Sequence, residues 1–161
     1  MTSTDTNDSG ALLLRGSETE ILTGDPGGAI ALLADTGALT ANRSTFRQGA
    51  DGAPPHFHTR ASELFVVLDG ALDVLFDERI HTLIAGDVLL VPPRMPHAFA
   101  AAAGSDADVL FVFTPGIGRF DYYRLLDRVH RGLSSPQEIR DSQQRFDNHY
   151  TDSPAWRRAR A

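Results

Sequence analysis

The stretch Pro54-Pro55-His56-Phe57-His58-Thr59-Arg60-Ala61-Ser62-Glu63 decides how this chain is read. His56 and His58 are two residues apart. In an extended strand, side chains at i and i+2 leave the same face, so both imidazoles can enter one space. Glu63 lies five residues beyond His58, the wrong parity for one straight strand. The polar run Thr59 to Ser62 must therefore bend if Glu63 is to rejoin the histidines. A fourth group, His97, closes Gly86-Asp87-Val88-Leu89-Leu90-Val91-Pro92-Pro93-Arg94-Met95-Pro96-His97, where an apolar strand runs into a proline-rich turn. Imidazole and carboxylate suit first-row transition metals. Three histidines and one glutamate from two separated strands are what a metal inside a β-barrel would need.

Outward from these stretches, the chain reads as many short strands. Upstream, Ala11 to Leu14, Glu20 to Leu22, Ala29 to Ala34 and Thr40 to Gln48 are strand candidates, and Gly24-Asp25-Pro26-Gly27-Gly28 is a turn. Asp51-Gly52-Ala53-Pro54-Pro55 reads as a stiff loop leading to the histidines. Glu63 to Leu68 is strongly β-forming, and Asp69-Gly70 is expected to turn it back into Ala71 to Phe76. Ile80 to Ile84, Val88 to Val91, Ala98 to Ala103 and Val109 to Phe113 follow. Short strands with turns at this frequency signal an all-β sandwich or barrel.

After Thr114-Pro115-Gly116-Ile117-Gly118 the period changes. Tyr122, Leu125, Leu126, Val129 and Leu133 fall at helical spacing and form one apolar stripe. Ser135-Pro136-Gln137-Glu138 carries a capping box with proline at the first helical position. The second helix it opens, with Ile139, Phe146 and Tyr150 on one side, is expected to run to about His149. The organisation expected is a disordered tail over 1–10, a barrel over 11–116, a pair of α-helices packed on it over 117–150, and a basic tail over 151–161. No internal repeat is present.

The two histidine stretches resemble the two signatures of the cupin superfamily. The first runs glycine, five residues, His-x-His, three or four residues, Glu, six residues, Gly. His56, His58, Glu63 and Gly70 fit it, with Ala50 standing where the leading glycine belongs. In the second, Gly86, Pro92 and His97 fit, while Arg94 replaces a glycine and Ala101 an asparagine. The departures fall on turn and structural positions. The resemblance implies a double-stranded β-helix, the cupin jelly-roll barrel, over about residues 40 to 115. It also implies that His56, His58, Glu63 and His97 hold one divalent transition metal ion: Fe, Mn, Ni, Cu or Zn. The exit and helical tail make the chain most similar to small quercetin 2,3-dioxygenase-like cupins. That likeness implies a dioxygenase acting on a flavonol-like or other enolisable small molecule, with Glu63 also taking the substrate's hydroxyl proton. The alternatives are a non-redox isomerase, cyclase or lyase, and a non-catalytic small-molecule-binding cupin.

In a small barrel, inner core and pocket wall are the same residues. Phe46, Phe65, Phe99, Phe111 and Phe113 are thus core residues and candidate pocket walls, and an apolar or aromatic substrate is expected in a pocket with few polar groups beyond the ligands. His81, His130 and His149 lack partners at ligand spacing and are expected at the surface, and Arg94 in a turn.

Composition excludes several classes. The chain has 161 residues, 42% hydrophobic and 22% charged, enough for one domain with a real core. It has no cysteine, which removes disulfides and thiolate metal sites. All 15 basic residues are arginine, and the net charge of −6 argues against a nucleic-acid surface. No apolar run is long enough for a membrane, and the polar, acidic N-terminus lacks the basic start of a secretory signal. A cytoplasmic protein is expected, and exposed barrel edges with apolar helical stripes point to a homodimer.

Overall fold

The computed structural model describes residues 10–161. All but the last residue of the tail expected at 1–10 lies outside them. Ten strands follow: β1 (Glu20–Leu22), β2 (Gly28–Asp35), β3 (Thr40–Phe46), β4 (Asp51–Phe57), β5 (Ser62–Phe76), β6 (Arg79–Ile84), β7 (Val88–Val91), β8 (His97–Ala101), β9 (Ala107–Thr114) and β10 (His149–Tyr150). Four helices lie toward the C-terminal end: α1 (Arg119–His130), α2 (Pro136–Asp141), α3 (Gln143–Phe146) and α4 (Pro154–Ala159). Every strand pairing is antiparallel.

The strands form two facing layers that share β5. One runs β1-β2-β3-β9-β5, with β7 on the other edge of β5. The other runs β10-β4-β8-β5, with β6 beyond. The expected hairpin at Asp69-Gly70 is not there: β5 continues through it for 15 residues and changes layer. Residues 62–67 pair with β7 and β9, whereas residues 71–76 pair with β6 and β8. The ladder slips between Val67 and Asp69, a bulge at Leu68 that inverts the inward parity. Glu63, Phe65 and Val67 face inward before it, Leu72 and Val74 after it. Gly70 sits in the left-handed region (φ 72°) at this corner, a conformation glycine adopts without penalty. Sequence reasoning takes a glycine between two β-forming runs as a hairpin, but the local signal of a corner is the same.

Two other expectations change. The loop expected at Asp51–Pro55 is strand β4, which tolerates Pro54 and Pro55 because its ladder to β8 is interrupted at two places. Ala11–Leu14 yields only an isolated bridge at Leu12.

The main core lies between the layers: Phe65, Val67, Leu72, Val74, Val91, Val109, Phe111 and Phe113, all at most 2% exposed. Helix α1 packs on β1 and β2, burying Tyr122 and Tyr123 with Leu125, Leu126 and Val129 around Leu32, Ile139 and Phe146. Leu133 leaves the stripe, 62% exposed beyond the left-handed Gly132 that ends the helix. The Ser135 capping box forms, but the second helix stops early. Asp147 takes a left-handed conformation and releases the chain into β10, which pairs with β4. Residues 154–159 then form α4, capped by Ser153 and anchored by Trp156 against Leu75, Ala98 and Ala100.

Candidate metal centre

His56 and His97 are 41 positions apart yet stand opposite each other on β4 and β8, with ring centroids 4.3 Å apart. His58, just past the end of β4, follows on the same face as parity requires. Glu63 enters from the start of β5. The chain between them does bend, and Asp147 holds the bend. Its carboxylate accepts from the Thr59 amide (2.9 Å), the Thr59 hydroxyl (2.6 Å) and the Arg60 amide (3.0 Å). On the far side the Arg94 amide donates to the His58 carbonyl at 2.6 Å. Arg94 has φ 68°, so the turn keeps the left-handed geometry of the glycine that the cupin signature places there.

The four side chains come together. One potential ligand atom from each of His56, His58, Glu63 and His97 lies within 4.8 Å of the others, and all four residues are at most 2% exposed. Each ring nitrogen Nδ1 donates to a backbone carbonyl: His56 to Pro54 (2.7 Å), His58 to Asp147 (2.7 Å) and His97 to Met95 (3.0 Å). In the neutral ring that arrangement leaves the Nε2 lone pair facing inward. His97 Nε2 is 2.7 Å and His58 Nε2 3.1 Å from the same Glu63 oxygen, Oε2. Lone pairs facing a carboxylate oxygen repel one another, and a bound cation or a proton on Nε2 relieves that repulsion. The donor set, tautomers and burial therefore fit a divalent transition metal ion.

The electrostatics agree. Burial, aided by the neighbouring His97 and His58, pushes His56 well below its ordinary value and keeps the ring neutral. Burial alone would raise Glu63, but facing His97 and the contacts with both imidazoles hold it well below the usual carboxylate range. Burial likewise opposes charging His97, and the Glu63 carboxylate outweighs it and raises the imidazole. A buried carboxylate kept ionised among imidazoles offers the charged oxygen that a cation ligand needs.

A cavity of about 560 Å³ opens onto His56 and Glu63. Phe46, Phe99 and Phe111 line it. Phe65 and Phe113 do not: both are at most 1% exposed and stand behind the wall, Phe113 edge-on to His58 at 5.3 Å. The rest of the lining is more polar than expected, with Asn42 and Ser44 from β3, Arg119, Tyr122 and Tyr123 from α1, and Asn148. Tyr123 donates to Asn42 (2.9 Å), which donates to Ser44 (3.0 Å), and the Tyr122 and Tyr150 hydroxyls are 2.8 Å apart. Burial raises both Tyr122 and Tyr123, so both phenols stay protonated. The alternation of Asn42, Ser44 and Phe46 along β3 was the available sequence signal, since polar residues on an inward face mark a cavity rather than a core. Nothing local marks Arg119.

The remaining histidines stand outside the cluster. His149 contacts Asp147 at 3.0 Å and stacks on Phe57, His81 stacks on Phe76 with its Nε2 buried and unpartnered, and His130 is exposed.

Comparison with known proteins gives the same architecture. Residues 42–113 match the family model of the Cupin domain. A germin-like protein of Arabidopsis thaliana is 43% identical over 65 residues, 37% of this chain and 30% of its own length. The chain thus matches less than a third of that curated relative. KdgF from a Halomonas species is 29% identical with a TM-score of 0.56, covering 63% of this chain and 92% of that one. An RmlC-like cupin from Shewanella frigidimarina is 28% identical with a TM-score of 0.57, covering 68% and 93%. These findings support the cupin superfamily. The barrel of this chain has the double-stranded β-helix fold of these neighbours, and residues 42–113 are the part that matches the Cupin domain.

Proposed function

We propose that this chain is a metal-dependent enzyme for a small enolisable molecule, with ring or carbon–carbon cleavage by dioxygen as its reaction. The carrying observation is the buried cluster of His56, His58, Glu63 and His97 opening directly onto a cavity of about 560 Å³, a volume suited to a small-molecule substrate. The four residues would hold one divalent ion. When bound, that ion supplies Lewis acidity toward an anionic enolate or phenolate oxygen and, if redox-active, electron transfer to dioxygen. In this reading Glu63 is a ligand that also accepts the substrate's hydroxyl proton. Phe99 and Phe111 give a flat ring its apolar wall, and α1 forms another side of the cavity.

Non-redox isomerase, cyclase or lyase chemistry is the second reading. It is favoured by the protonated phenols of Tyr122 and Tyr123 on the same cavity as Glu63, since acid and base then both come from the protein. A homodimer is supported by Leu68, Ile84, Val88 and Leu90, all exposed on or beside the edge strand β7. Among the described residues, no helix is long and apolar enough to cross a membrane.

The test begins with elemental analysis of the purified protein, followed by anaerobic reloading with each candidate ion and an enolic substrate panel. Oxygen uptake that is lost in His56→Ala supports the first reading, and product formed under strict anaerobiosis supports the second. Unchanged metal content in both His58→Ala and His97→Ala sinks the metal site and both readings with it.

A further inference from the structure

Arg119 is 4% exposed and lines the cavity beside the metal-ligand cluster, yet among the described residues it has no carboxylate partner. Its Nη1 donates to Asn148 Oδ1 at 3.1 Å. Its Nε–H and the Asn148 amide nitrogen Nδ2 are both buried and without a hydrogen-bond partner. A buried unpaired donor costs about 1–3 kcal/mol, and more on a charged group. Two sealed donors side by side, with no carboxylate at hand, mark a guanidinium whose charge the protein does not fully meet. The guanidinium is held in place rather than left to search. It lies over the rings of Tyr122 (4.1 Å), Phe113 (5.0 Å) and Tyr123 (5.1 Å). Aromatic faces stabilise its charge and fix its plane without satisfying its N–H groups.

The geometry points to an anion subsite: Arg119 and Asn148 receive a carboxylate carried by the substrate, while another part of the same molecule reaches the histidine–glutamate cluster. The assignment rests on the proposed use of this cavity for a small-molecule substrate, and it narrows that substrate to a carboxylic acid. A carboxylate in the cavity that Arg119 lines would meet the guanidinium's charge with charge-assisted bonds. A phosphate dianion would exceed the single charge of that guanidinium. The expected substrate thus joins a flat or apolar body, set against Phe99 and Phe111, to a single carboxylate. Arg119 acts here as a binding and positioning residue for that group.

The test measures binding of a panel of aromatic and aliphatic monocarboxylates, each beside its neutral amide (benzoate with benzamide among them), to the full-length protein in its metal-loaded form. At least one acid should bind about tenfold or more tighter than its amide, as expected for hydrogen bonds to a charged group. In Arg119→Gln that preference should collapse to within about twofold with metal content unchanged. A preference that survives Arg119→Gln places the carboxylate elsewhere and overturns the subsite, as does a panel in which no acid outbinds its amide. Asn148→Asp, nearly isosteric, covers the case where Arg119→Gln does not fold. It gives Arg119 an internal anion, so the acid preference should vanish while the fold is kept, and a retained preference again overturns the subsite. Metal content and turnover are read separately. Failure of the enzyme reading would show there, and failure of the subsite in the acid–amide ratio.

Discussion

At the scale of single residues, Asp147 does more for the site than its position in the sequence suggests. Its backbone carbonyl orients His58, and its carboxylate ties down Thr59 and Arg60, the bend that lets Glu63 rejoin the histidines. Burial works against ionisation, but the bonds from Thr59, Arg60 and His149 outweigh it and lower the carboxyl from 3.8 to about 2. A depressed carboxyl stabilises the folded state above its unfolded value, and that contribution is lost as pH falls toward about 2. Asp147→Asn should therefore cost about 2 kcal/mol at pH 7. In denaturant titrations, the gap between variant and parent should narrow steadily between pH 4 and pH 2. A gap independent of pH would show that the carboxylate is not the stabilising group.

At the scale of elements, β5 organises the molecule. It supplies Glu63 to the site from one layer and pairs with the His97 strand β8 in the other. The corner between these roles depends on Gly70, where φ is 72° and an added methyl group would collide with the Asp106 carbonyl oxygen. Left-handed backbone alone penalises alanine by about 1–2 kcal/mol, and the collision adds to it. Gly70→Ala should thus lower stability by on the order of 3 kcal/mol in thermal or denaturant unfolding. A loss below about 1 kcal/mol would mean that the corner relaxes and does not require glycine.

At the scale of the whole molecule, the C-terminal third is a strap rather than an appendage. Helix α1 lines one side of the cavity, β10 pairs with the histidine strand β4, and α4 lies against the opposite face of the β8 layer. Trp156, 8% exposed, is the anchor of that last contact. Trp156→Ala should cost about 3 kcal/mol of stability, as large aromatic truncations do. The ligand cluster belongs to the other side of β8, so metal content by elemental analysis should stay unchanged. If metal is lost as well, the strap and the site form one cooperative unit.

The sequence by itself determined what depends on local periodicity and turn chemistry. Parity put His56 and His58 on one face, the break in parity demanded a bend before Glu63, and the apolar strand and proline turn marked His97. The Ser135 capping box and the stripe from Tyr122 to Val129 were local in the same sense. Only the tertiary structure decided which strand faces which. It set His56 against His97, turned Asp69-Gly70 into a corner rather than a hairpin, and removed Phe65 and Phe113 from the cavity wall. Only it brought Arg119 beside Asn148. Those outcomes depend on how apolar faces many residues apart share one core, and at Gly70 the local conformational preference is the same for both answers.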